Sequence, residues 1–161
     1  MNRAGSSCTG LQMLMLLGAT VALAAAASRF YEQPLPLDYP WSRHVEQSAL
    51  ETGMQVMTVA EAEAAVQSFS HIVLDARREA DYLAGHLPGA MSLPANDVDA
   101  HFAMISSLLD PAMPIMVYCS GQDCDESLLV GRMVIDAGYT NVTLFVGGFR
   151  AWQEAGLPVQ R

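Results

Sequence analysis

The feature that most constrains this chain is an exchange of periodicities from Gln55 onward, where short apolar runs alternate with stretches of helical spacing. Strands of about four residues separated by ten or more residues cannot pair through tight turns, so they assemble as a parallel sheet covered by crossover helices. Gln55–Thr58, His71–Leu74, Ala90–Leu93, Ile115–Tyr118 and Val142–Val146 read as the strands, with His71–Leu74 ending at Asp75. Ala60–Val66, Val98–Leu109, Ser127–Ala137 and Phe149–Ala155 read as helices. In the third of these, Leu128, Leu129, Met133 and Val134 supply the apolar spacing, and Gly138 ends it as a C-terminal cap. A chain of 161 residues has room for one such α/β domain and a short extension.

The extension is the N-terminus. Arg3 precedes an apolar stretch from Leu11 to Ala27 that contains no ionisable residue and is broken by Gln12 and Thr20. A weakly basic start, an apolar middle and the small residues Ala24–Ala27 follow the order of a signal peptide; a membrane anchor fits the same residues, since the stretch is near the lower limit for spanning a bilayer. Residues 1–28 are therefore expected to be a signal peptide or membrane anchor. Residues 29–54, with Pro34, Pro36 and Pro40, are expected to be a linker, and residues 55–161 the folded domain. Tyr39 and Trp41 would rest either at the membrane interface or on the domain. Both readings place the domain outside the cytoplasm, periplasmic or anchored to the membrane, where a nearby cysteine pair can be bridged. Cys8 stands before the apolar run, which is not the position of a lipid-modified cysteine.

Charge narrows the partners. The formal net charge is −9, and residues 29–161 hold 7 Arg against all 17 acids, a net −10. A body so negative is attracted neither to nucleic acid nor to an anionic membrane surface.

Cys8, Cys119 and Cys124 are too few for a disulfide scaffold and wrongly spaced for a paired CxxC zinc site, so neither a metal nor another cofactor is expected. Cys119 follows directly on the run Ile115–Tyr118 and precedes a helix. The carboxyl ends of parallel strands surround the ligand crevice of an α/β sheet. A thiol placed there can be acidified by loop N–H groups and by the positive end of the next helix; a buried, inert thiol is the alternative.

Several further segments carry a family pattern. Asp75-Ala76-Arg77, then Asp81-Tyr82, then Gly85-His86-Leu87-Pro88-Gly89-Ala90 resemble the first rhodanese motif. Tyr118-Cys119 resembles the strand and catalytic cysteine of that family. Gly138-Tyr139, Asn141-Val142, Gly147-Gly148-Phe149, Ala151-Trp152 and Gly156-Leu157-Pro158 resemble its closing motif, so the similarity spans residues 56–159. The resemblance implies a rhodanese-like three-layer α/β fold, a parallel sheet flanked by helices. It also implies that Cys119 attacks the outer sulfur of an anionic donor such as thiosulfate and holds it as a persulfide for an acceptor thiol or cyanide. Asp75, Arg77, His86, Gly147, Gly148 and Trp152 are expected to be structural: Arg77 paired with Asp81, the glycines in tight turns, Trp152 in the core, and His86 not a general base.

The loop after Cys119 departs from the pattern. The family resembles C-x-x-G-x-(R/S/T) here, whereas Cys119-Ser120-Gly121-Gln122-Asp123-Cys124-Asp125-Glu126-Ser127 is about two residues longer, lacks Arg and Lys, and holds three acids. Like charges about 4 Å apart repel by about 4 kcal/mol at an effective dielectric near 20, and by about 1 kcal/mol in water. The acids therefore either oppose a thiolate and a dianionic donor or face outward at the helix start, where Asp125 and Glu126 would cap free N–H groups. Without an Arg to clamp phosphate, ester hydrolysis lacks its main stabiliser. The amides of Ser120, Gly121, Gln122, Asp123 and Cys124 are the expected anion cradle. Cys124 is a candidate resolving thiol, able to convert a persulfide or sulfenic acid on Cys119 into a disulfide, or else a small filler. Three functions follow: an exported sulfurtransferase using a small sulfur donor and a thiol acceptor, a thiol redox element cycling Cys119 and Cys124, or a non-catalytic module presenting the loop to a membrane or periplasmic protein partner.

Overall fold

In the computed structural model the described residues are 6–30 and 41–161, without the side chains of residues 6–9, 11, 27–30, 41 and 42. The expectations for Tyr39, for the side chains of Cys8 and Trp41, and for Pro34, Pro36 and Pro40 lie outside these residues. Among the described residues the first unit holds one helix, α1, Ser6–Phe30. Among the described residues no helix is long and apolar enough to cross a membrane.

The second unit carries the sheet. Its elements run α2 (Trp41–Glu51), β1 (Gln55–Met57), α3 (Val59–Ser68), β2 (Ile72–Asp75), α4 (Glu79–Ala84), β3 (Met91–Ser92), α5 (Val98–Ile105), β4 (Ile115–Tyr118), α6 (Glu126–Asp136), β5 (Val142–Phe145) and α7 (Gly148–Glu154). The five strands are parallel in the order β1-β5-β4-β2-β3, which meets the expectation of a parallel sheet flanked by helices. β4 is central and wholly buried. Strand alternation sends Ile115 and Val117 into a core shared with α2, α5 and α6, and sends Met116 and Tyr118 into one shared with α3, α4 and α7. Cys119 continues the alternation on the Val117 side, 2% exposed.

Local sequence accounts for two of the helix ends. Thr58 and Glu61 form a reciprocal capping box at the start of α3, Glu61 accepting from the Thr58 N–H at 2.8 Å. Gly138, at φ 102°, closes the turn after α6, with the Tyr139 N–H donating to the Val134 carbonyl at 3.2 Å.

Three expectations are corrected and one helix is added. The linker does not extend to residue 54, because residues 41–51 form α2 and bury Val45 and Ala49, one helical turn apart, in the α6 side of the core. α4 was not expected at all; it is six residues long and buries none of them, so it has no apolar period to read. The helix expected over residues 98–109 becomes α5 and a separate 3₁₀ turn, Ser106–Leu108. Leu129 is 51% exposed: the buried face of α6 is Ser127, Leu128, Val130, Gly131 and Val134, where Gly131 lets Met54 pack directly on the helix backbone. If α2 is part of the cooperative domain, Val45→Ala will lower its stability by roughly 1–3 kcal/mol, measured by urea denaturation.

Candidate active site

The floor of the site is built from a charge pair at the end of β2. Asp75 is fully buried and lies beside Tyr118 in the β2–β4 register. Arg77 folds back on it, with Nη2 donating to Oδ2 at 2.6 Å and Nε to Oδ1 at 2.9 Å, while the Arg77 backbone N–H also donates to Oδ1 at 3.0 Å. Nη2 reaches on to the Gly85 carbonyl at 2.7 Å, and the guanidinium lies 3.9 Å over the Phe149 ring. The Tyr118 hydroxyl donates to Asp75 and accepts from the Leu87 N–H at 3.1 Å. Burial opposes the Arg77 charge, but the hydrogen bonds and charge of Asp75 outweigh it and hold the guanidinium above its ordinary pKa. Burial, then the Asp75 charge, push the Tyr118 phenol up.

The expected Arg77–Asp81 pair is therefore replaced by two others. A buried guanidinium needs a buried carboxylate, which Asp75 supplies; Asp81 sits on the surface and pairs with Arg78 at 3.1 Å. His86 is buried and stacks on the Tyr82 ring at 3.9 Å, with Nδ1 3.0 Å from the Tyr82 carbonyl oxygen, and its backbone bridges to Gln160. Trp152 is buried with Nε1 donating to the Pro158 carbonyl at 2.8 Å.

Beyond Tyr118 the chain is strapped to α7. The Cys119 carbonyl accepts from the Phe149 N–H at 2.8 Å and the Ser120 carbonyl from the Arg150 N–H at 3.0 Å. This approach requires Gly148, at φ 58°: a Cβ there would collide with the Cys119 carbonyl and with the Gly121 backbone. The loop then curls, the Cys124 N–H donating to the Gly121 carbonyl at 3.2 Å. That bond occupies one of the five cradle amides; among the described residues those of Ser120, Gly121, Gln122 and Asp123 have no protein acceptor. The curl joins Cys119 and Cys124 as a disulfide, with Cα atoms 6.4 Å apart. The Cys119 Sγ also lies 3.3 Å from the Cys124 carbonyl oxygen, and the Cys124 Sγ lies 3.3 Å from Glu126 Oε2. The two sulfurs and the carboxylate lie within 4.8 Å of one another, but sulfurs bonded to each other are not the thiolates that a zinc site takes.

This strand-end cysteine, its loop and the glycine-bound helix after β5 coincide with a known domain: the rhodanese-like domain model matches residues 58–155. The chain belongs to the rhodanese-like domain family. It is 33% identical over 87 residues to the HTH-type transcriptional regulator Rv0324 of Mycobacterium tuberculosis, covering 54% of this chain and 36% of the regulator. It is 30% identical over 91 residues to the thiosulfate sulfurtransferase YnjE of Escherichia coli, covering 50% of this chain and 21% of that protein. It thus spans about a third of the length of the first and about a fifth of the second. A crystal structure of a thiosulfate sulfurtransferase from Pseudomonas aeruginosa aligns at TM-score 0.59 and 24% identity over 76% of this chain and 23% of that one, and shares the fold.

In this rhodanese-like domain the acids of the loop take three different positions. Asp123 is exposed and faces Arg150 Nη1 at 3.8 Å. Asp125 occupies the N-cap position of α6 but makes no side-chain cap bond, contrary to the capping expected of it. Glu126 is half-buried at the first turn, where burial and then the Asp125 charge push its carboxyl above the usual glutamate range, against the pull of Arg78. A cleft of about 580 Å³ opens between Ser120, Glu126, Arg77, Arg78 and Asp81. Arg78 and Arg150 were not expected near the loop, since they arrive from α4 and α7; the signal for Arg150 was its place directly after Gly147-Gly148-Phe149, the segment that straps the loop.

Two outcomes follow. Asp75→Asn leaves Arg77 buried without its counter-charge and is expected to cost about 3–5 kcal/mol, read by chemical denaturation. For Glu126, a raised folded-state pKa means that the folded state holds the proton more tightly than the unfolded chain. Its cost to stability is therefore absent below the ordinary glutamate range and complete once pH exceeds the raised value. Glu126→Gln should accordingly stabilise the domain at neutral pH and leave it unchanged in acid, measured by thermal unfolding across pH.

Proposed function

We propose that this chain is an exported sulfurtransferase that carries sulfane sulfur as a persulfide on Cys119, taking it from a small donor, thiosulfate or a persulfide, and passing it to a thiol acceptor. The observation that carries the reading is the position of Cys119: it ends the central strand at the start of a loop with four unengaged amides, beside a cleft lined by Arg77 and Arg78. In such a site the Cys119 thiolate attacks the outer sulfur of thiosulfate, the sulfur–sulfur bond breaks, and sulfite leaves with the electron pair. An acceptor thiolate then attacks the outer sulfur of the persulfide and restores the Cys119 thiolate. The amides serve the departing and entering negative charge better than point cations would, because Arg77, Arg78 and Arg150 are each matched by a carboxylate.

Export rests on Arg3, the apolar residues 11–27 and the small residues Ala24–Ala27. A second reading, a thiol redox element, draws on the Cys119–Cys124 disulfide. Intact-mass spectrometry of the reduced chain after thiosulfate, and separately after glutathione persulfide, distinguishes them. Transfer requires either retained sulfur or release of sulfite from thiosulfate, each abolished by Cys119→Ser. Oxidation to the disulfide with neither sulfur uptake nor release of sulfite from thiosulfate would replace transfer by redox cycling.

A further inference from the structure

Three groups that the carrier reading leaves without a task, or with only part of one, cluster within 4.8 Å of one another: Cys119 Sγ, Cys124 Sγ and Glu126 Oε2. The sulfurs are in bonding contact, so Cys124 reaches the inner sulfur of any persulfide formed on Cys119. The Cα separation of 6.4 Å lies within the range that a bridge spans without backbone movement. Cys119 is 2% exposed, which bars a bulky external thiol from that inner sulfur, whereas Cys124 is already inside the loop. The third member, Glu126 Oε2, is 3.3 Å from Cys124 Sγ, within reach of its proton.

We infer that Cys124 attacks the Cys119 persulfide at its inner sulfur and expels the outer one as sulfide, with Glu126 carrying the proton from the Cys124 thiol to the departing sulfur. The inference rests on the proposed persulfide and turns a carrier into a sulfide-releasing reductase of sulfane sulfur. The balance is closed. Glu126 takes the Cys124 proton; the Cys124 thiolate forms a bond to Cys119 Sγ; the bond from Sγ to the outer sulfur breaks, and that sulfur leaves with the pair as hydrogen sulfide anion, protonated by Glu126. The sulfane sulfur is reduced by two electrons and the two cysteines are oxidised to their disulfide. A small dithiol then reduces that disulfide by exchange, so each cycle converts thiosulfate and dithiol to sulfite, sulfide and oxidised dithiol.

The surroundings of Glu126 suit a group that both takes and returns a proton. It is half-buried, with Asp125 beside it and Asp81 and Asp75 beyond, all raising its proton affinity, and Arg78 alone opposing them.

The test is a single turnover of the full chain, reduced with dithiothreitol, freed of reductant, and mixed with thiosulfate or, in parallel, with glutathione persulfide. Sulfite is measured in the thiosulfate arm, and sulfide and intact mass in both. The wild type should release sulfide in step with its charging and finish two hydrogens lighter with no added sulfur. Cys124→Ser and Cys124→Ala should each stop with the added sulfur retained and no sulfide. Glu126→Gln should slow sulfide release roughly a hundredfold or more and remove the acid limb of its pH–rate profile, and Glu126→Asp should restore part of both. A wild type that keeps the added sulfur and releases no sulfide overturns this inference and leaves the carrier reading standing, as does sulfide release that persists in both Cys124 variants. No charging from either donor overturns the carrier reading and this inference with it.

Discussion

The pair of Asp75 and Arg77 is the constraint on which the rest of the domain depends. It ties the end of β2 to Tyr118 at the end of β4, to the Gly85 carbonyl and to the Phe149 ring at the start of α7. Four segments between residues 75 and 149 are thereby fixed against one buried charge pair. Such a pair contributes little net stability compared with apolar packing of the same volume, but a mispaired register would strand a carboxylate in the core. Its effect is therefore to select one alignment of β2 and β4. That alignment sets the depth of Tyr118 and, one residue on, of Cys119.

The sheet and the position of Cys119 were legible because both follow from periodicity: a buried central strand reads as an unbroken apolar run, and the residue after it must lie at the carboxyl edge. α2 was not legible, since only Val45 and Ala49 among its described side chains are buried and the prolines before it argue for a tether. Leu129 was misplaced because apolar identity was taken for inward direction; the helix instead turns Gly131 toward Met54. The partner of Arg77 was misjudged for a different reason. Asp75 and Asp81 both lie within four residues of Arg77, and burial decides between them. The approach of Arg150 to the loop is tertiary and leaves no period, so only the glycines before it marked the contact.

The three acids of the loop show how little a charge count says about a site. Asp123 is spent on Arg150 at the surface, Asp125 stands at a helix start without capping it, and Glu126 alone turns toward a sulfur. A negative loop is thus compatible with a thiol pair, because the charges are separated by position and only one of them lies beside a sulfur.

The strap between α7 and the carbonyls of Cys119 and Ser120 divides the loop into a fixed root and a free span. Residues added after Ser120 and before α6 leave the Cys119 backbone in place, since the hydrogen bonds that strap it to α7 lie before them; what they change is the reach of Cys124 toward its sulfur. Length in this span is therefore a parameter that can drift independently of the scaffold. A lineage can gain or lose a second thiol there by a small insertion without rebuilding the domain that holds Cys119.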